Sequence, residues 1–193
     1  LKLTPAECFS ASCINAAYSL GLGDSVGAVE AGKRADLIIW DTDDFRTIWL
    51  SEEDPAVVRI IDQRRLPHEY RVHDLRTWQD AVTAIAEMYV RGAPLIGATA
   101  AWGIYLAAFA DTTRLAVLTA ADALQQSRPT AVNLRWAIER MCELASRTPD
   151  ASLVEALRDE AQRICDEDVE ISRGIGEHGV GLLEDIAART PGG

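Results

Sequence analysis

The sequence predicts a mainly α-helical fold with a small antiparallel β-sheet, preceded by an appendage of one helix and two short strands. Three observations predict it. Beyond Thr77, apolar residues recur at three- and four-residue spacing in segments bounded by capping signals. Between Phe45 and Asp74 they form short runs separated by turn residues. The composition, 48% hydrophobic and 25% charged over 193 residues, belongs to a globular chain able to bury a core. It excludes a disordered tail, a collagen-like repeat and a small disulfide scaffold.

The appendage opens with Thr4-Pro5-Ala6-Glu7, a capping box with proline at the first helical position. Phe9, Cys13, Ala16, Ala17 and Leu20 follow at helical spacing, and Gly21 and Gly23 stop the helix. Two strands are expected next, at 26–30 and 35–41, the second apolar enough to be covered on both faces. A piece this small cannot close a core alone. The expected domains are therefore 1–44 and 45–193.

In the second piece, strands are expected at Val57–Asp62 and Glu69–Asp74, around a turn at Gln63–Pro67. Thr77 with Asp80 can cap a helix whose stripe is Trp78, Ala81, Val82, Ile85, Met88 and Tyr89. That helix breaks at Arg91-Gly92-Ala93-Pro94. Further helices are expected to Ala110, from Thr113 to Gln126, from Thr130 to Ser146, and from Ser152 into the 174–181 region. Pro94–Ala110 is apolar and uncharged, but rich in Gly and Ala and without flanking basic clusters. It reads as a buried helix, not a membrane span.

The net charge of −11 argues against a nucleic-acid partner. Residues 59–91 hold six Arg against five acids, whereas 150–185 hold eleven acids against three Arg. An anionic ligand is expected near the first stretch. Cys8, Cys13, Cys142 and Cys165 show no metal-ligand spacing and read as reduced thiols, as in a cytoplasmic protein. No metal or cofactor is expected. The chain opens on Leu1 instead of Met, as an internal fragment or processed chain would.

Arg91-Gly92-Ala93-Pro94 has a direct physical reading. Ala93 precedes proline and is biased away from helical dihedrals. Pro94 can begin the next helix, leaving free N–H groups beside a forked cation and a glycine that permits close approach. That is a phosphate cradle. The alternative is a plain helix break with Arg91 solvated. Arg128, before Pro129, is either a solvent-facing helix terminus or a second ligand contact. Asp168, on the stripe of the last helix, finds an ion-pair partner, stays at the edge, or acts catalytically. His68 and His73 cannot chelate one metal from opposite faces of a strand, and His178 reads as structural.

Two stretches, "LTPAECFSASCINAAYSLGL" and "GDSVGAVEAGKRADLIIWD", resemble the C-terminal end of a metal-dependent amidohydrolase of the imidazolonepropionase type. That family's metal ligands lie upstream of anything here, so the piece carries no hydrolysis. From Phe45 on, "VRIIDQRRLP", "VRGAPLIGATAAWGI", "RPTAVNLRWAIERM" and "EDVEISRGIGEHG" resemble the N-terminal part of the methylthioribose-1-phosphate isomerase family. The resemblance implies a half that binds a small-molecule sugar phosphate in methionine salvage. There the family converts 5-methylthioribose 1-phosphate into 5-methylthioribulose 1-phosphate. It implies contacts from Arg91, Gly92, Ala93 and Arg128. The family's catalytic Cys and Asp belong to a following α/β half, expected to be absent, so no catalytic residue carries over. The chain is expected to be inactive and to self-associate through faces that have lost their cover. The competing classes are a non-catalytic interaction module, like regulatory subunits of translation-initiation factor 2B, and a hydrolase fragment.

Overall fold

The computed structural model describes Ser19, Gly21, Leu22, Asp24, Ser25, residues 47–66 and residues 68–189. The helix expected at 4–20 and the strands at 26–30 and 35–41 lie outside the described residues, apart from Ser19, which is helical. Gly21 takes φ +71°, as expected where a helix stops. The chain divides into two compact units, one made of Leu1–Asp41 with Val169–Gly193, the other of Thr42–Asp168.

Within Thr42–Asp168 the chain starts with β1 (Ile48–Leu50), β2 (Val58–Ile61) and β3 (Val72–Leu75), an antiparallel sheet in that order. Ile48 pairs with Ile60, and Val58 with both Leu50 and Leu75. Alternation puts Val58 and Ile60 in the core, while Arg59 takes the other face and pairs with Glu53 at 3.1 Å and Asp74 at 3.4 Å. Strand β1 was not expected, because three residues are too few to show a period of two. Strand β3 starts three residues late. Arg65 C=O accepts the N–H groups of both His68 and Glu69, each at 3.0 Å, which wraps this segment into a turn.

Among the described residues, five longer helices follow, as the fold class required. The first, α1 (Trp78–Ala86), has the full capping box: Asp80 N–H donates to Thr77 Oγ1 at 3.2 Å, and Thr77 N–H to Asp80 Oδ2 at 2.8 Å. It ends before Met88, earlier than the apolar stripe implied. Met88 takes φ +61°, its N–H bonds Ile85 C=O, and Tyr89 N–H bonds Ala84 C=O. This is a Schellman termination with methionine where glycine is usual.

Helix α2 (Ala93–Ala110) is followed by α3 (Arg114–Ser127), α4 (Val132–Arg147), a 3-10 turn at Asp150–Ser152, and α5 (Leu153–Arg189). By length and hydropathy α2 could cross a membrane, yet 78% of it is buried inside the fold. Being apolar all round suits it to the centre of a globular core. Its glycines let neighbours approach: a Cβ at Gly103 would lie 2.9 Å from Ala81 Cβ of α1 and 3.2 Å from Leu124 Cδ1 of α3. The far side of the core is tied by Arg140 of α4, which bonds Glu160 and, at 2.8 Å from Nη2, Glu167 of α5. Glu167, not Asp168, takes the ion pair. Asp168 stays half-buried with no ion pair among the described residues.

Candidate functional site

The order of the helices decides which termini meet. Only three residues separate α2 from α3, and Gly103 of α2 meets Leu124 near the end of α3, so α3 folds back along α2. Arg114, at the start of α3, donates to Thr148 C=O beyond the end of α4 and pairs with Asp150 at 3.1 Å. Helices α3 and α4 are therefore also antiparallel, and α2 and α4 begin at the same end. Gly97, in the second turn of α2, lies against the backbone of Asn133 in the first turn of α4. The two segments singled out from sequence, Arg91-Gly92-Ala93 and Arg128-Pro129, lead into these two helix starts.

Helices α1 and α3 carry side-chain caps, from Thr77 and Thr113. Helices α2 and α4 have none, their N-cap positions being Gly92 and Ala131. Uncapped helix starts keep free N–H groups and the positive end of the helix dipole. At α2 the first helical bond runs from Ile96 N–H to Gly92 C=O at 3.1 Å. Pro94 has no N–H, and the N–H groups of Ala93 and Leu95 meet no acceptor among the described residues. The expected start is corrected by one residue: Ala93, not Pro94, is the first helical residue. Helical dihedrals before proline are disfavoured but not barred, and the small Ala93 side chain limits the clash. Gly92 takes φ +93°, with nothing within 4 Å of where a Cβ would stand. The approach to α2 is open.

Arg91 is exposed but not free. Its backbone N–H donates to Gln63 Oε1 at 2.6 Å, and its guanidinium donates to Gln63 C=O. No carboxylate pairs with it among the described residues. Arg128 closes α3, and its C=O accepts Ala131 N–H at 3.0 Å, while its half-buried side chain has no ion pair among the described residues. Arg64 is treated in the opposite way. It grips Asp62 through Nε at 2.9 Å and Nη2 at 2.8 Å, and lies 3.4 Å over the Tyr89 ring centroid. The Arg64 bond holds the buried Asp62 carboxyl below the usual range, and the same bond raises Arg64. Sequence reasoning missed Asp62, Gln63 and Arg64 as neighbours of Arg91. Only the family-like stretch "VRIIDQRRLP" hinted at them.

Other candidates fall outside this place. His73 meets Tyr89 edge-on at 5.1 Å, and His178 Nδ1 lies 2.7 Å from Gly174 C=O. No cluster of three or more potential metal ligands exists among the described residues. Burial pushes the Cys165 thiol up to about 11 and raises Cys142 as well, which makes both poor nucleophiles.

Comparison with known proteins divides the chain. The amidohydrolase family model matches residues 1–69, running past residue 44 into β1 and β2. The initiation factor 2 subunit family model matches residues 89–188. Methylthioribose-1-phosphate isomerase from Cereibacter sphaeroides is 47% identical over 148 residues, 77% of this chain and 40% of its own length. Among solved structures, 5-methylthioribose 1-phosphate isomerase from Pyrococcus horikoshii is 37% identical with a TM-score of 0.60, covering 67% of this chain and 38% of that one. The delta subunit of translation initiation factor eIF-2B from A. fulgidus is 34% identical at the same TM-score, covering 66% and 38%. The chain thus spans about two fifths of the length of the Cereibacter isomerase. From the Arg91 turn through the long α5 helix, it belongs to the initiation factor 2 subunit family.

Proposed function

We propose that this chain is the sugar-phosphate-binding half of a methylthioribose-1-phosphate isomerase, with Arg91, Gly92, Ala93 and Arg128 as phosphate contacts. The observation that carries the reading is the pair of uncapped helix starts of α2 and α4, side by side and flanked by two arginines without carboxylate partners among the described residues. A phosphate there meets N–H donors, two helix dipoles and guanidinium groups together. The identity to the Cereibacter isomerase supplies the substrate class. The chain by itself binds without turning over, because positioning does not replace an acid and a base at the sugar carbons, and Cys165 is held as a buried thiol. Affinity is on the order of millimolar for half a pocket. The setting is the cytoplasm, and copies self-associate through apolar side chains left exposed, such as Leu115, Leu118 and Val132.

Titration with 5-methylthioribose 1-phosphate, followed by backbone amide shifts, tests this. Gly92, Ala93, Leu95 and Ile96 should move, and Arg91→Ala should abolish the response. Equal shifts in Arg91→Ala would sink the reading. A second reading, a non-catalytic interaction module, is supported by the likeness to the eIF-2B delta subunit, which has the same TM-score of 0.60 at 34% against 37% identity. It requires concentration-dependent association with no sugar-phosphate response.

A further inference from the structure

We infer that Gln63 is the positioning residue of the anion site, setting the pose of Arg91 while leaving its charge uncompensated. The inference rests on the sugar-phosphate reading and deepens it. Three hydrogen bonds join Gln63 to the segment before α2. Gln63 N–H donates to Tyr89 C=O at 2.8 Å, Arg91 N–H donates to Gln63 Oε1 at 2.6 Å, and the Arg91 guanidinium donates to Gln63 C=O. Such a clamp holds the backbone and side chain of one residue together. It can do so because Gln63 is itself fixed. On one side, buried Asp62 donates its N–H to Arg71 C=O at 2.9 Å. On the other, Arg64 is locked bidentate on Asp62 and stacked on Tyr89.

The chemistry of the holding groups separates this clamp from an ordinary ion pair. Arg64 is held by a carboxylate, which neutralises it and removes it from anion binding. Arg91 is held by an amide oxygen and a carbonyl, both neutral acceptors, so its full positive charge persists. One guanidinium donor is used, and the others have no acceptor among the described residues. Because Oε1 faces an N–H donor, the Gln63 amide orientation is settled, and Nε2 brings two more donors with no protein acceptor among the described residues. Met88 contributes by geometry. Its left-handed backbone turns the chain out of α1, so that Tyr89 C=O and Arg91 N–H both meet Gln63. An arginine already ordered this way loses less side-chain freedom when a phosphate arrives.

The test uses the full chain in four forms, wild type, Gln63→Ala, Gln63→Glu and Gln63→Met, with two readouts. The first is backbone amide exchange at Arg91, which needs no ligand. Gln63→Ala and Gln63→Met should speed it about tenfold, as expected for loss of one hydrogen bond. Gln63→Glu, which keeps an acceptor oxygen, should preserve protection. The second readout is the dissociation constant for D-ribose 1-phosphate. It should rise about tenfold in Gln63→Ala, and rise also in Gln63→Glu, because a carboxylate neutralises the arginine it still positions.

A purely structural role would not separate protection from affinity in Gln63→Glu. Unchanged Arg91 exchange in both Gln63→Ala and Gln63→Met overturns the proposal, as does an affinity for D-ribose 1-phosphate in Gln63→Ala equal to that of wild type. If Gln63→Ala does not fold, Gln63→Met and Gln63→Glu decide on their own. If wild type ignores the sugar phosphate, the functional reading fails, and Arg91 exchange still decides whether Gln63 sets its pose.

Discussion

Gly97 and Asn133 are in backbone contact: a Cβ added to Gly97 would lie 2.9 Å from the Asn133 carbonyl oxygen. This approach, between the second turn of α2 and the first turn of α4, lays two distant sequence segments side by side. A carbonyl in a helix cannot swing away as a side chain can. Gly97→Ala should therefore cost about 1–3 kcal/mol in urea unfolding, the range for overpacked cores. It should also weaken sugar-phosphate binding by parting the two helix starts. Stability within a few tenths of a kcal/mol of wild type would show that the helices separate freely there.

Met88 and Gly92 both take positive φ, +61° and +93°, and predict opposite outcomes. Met88 carries a Cβ in a left-handed conformation and is 44% exposed, so the strain Met88→Gly relieves outweighs the partial burial it gives up. It should stabilise the chain by about 1 kcal/mol. Gly92→Ala introduces the strain that Gly92 avoids and should cost about 1–2 kcal/mol, although the space around it is open. Paired thermal melts of the two variants check both signs.

The Asp62–Arg64 pair fixes the sign of an acid dependence. The folded Asp62 carboxyl titrates below its unfolded value, so its contribution is complete above about pH 4 and is lost as pH falls through the lower, folded value. Asp62→Asn should cost about 1.5–3 kcal/mol at pH 7, as for hydrogen bonds to charged groups. The gap to wild type should close on acidification. Urea titrations between pH 7 and 3 would show a constant gap if the pair contributed nothing.

Cys165 predicts an alkaline effect of the other sign. Its thiol is raised from about 9 to about 11 in the fold. The folded state keeps the proton longer, so this stability is full below pH 9 and is lost between pH 9 and 11. At pH 8 the native thiol should react with iodoacetamide at least about tenfold slower than the unfolded chain, read by peptide mass spectrometry. Fast native alkylation would reopen Cys165 as a nucleophile.

Much of this protein is legible in order of sequence. The Thr77–Asp80 capping box, the Thr113 cap, the apolar α2 helix and the break at Arg91-Gly92 are local features, and each depends on residues within one or two turns. The sequence by itself therefore determined the helices, the mainly helical class and the candidate residues Arg91, Gly92, Ala93 and Arg128. It missed β1, because three residues carry no periodicity. It also placed the end of α1 too late, because methionine is not a usual left-handed cap. Tertiary structure decided that α2 and α4 start side by side, that Arg64 is paired with Asp62, and that Arg91 is held by Gln63 with no carboxylate partner among the described residues. The reason is distance along the chain. Arg91 and Gln63 are 28 residues apart, and whether an arginine finds a carboxylate or a carbonyl depends on which loop the fold lays beside it.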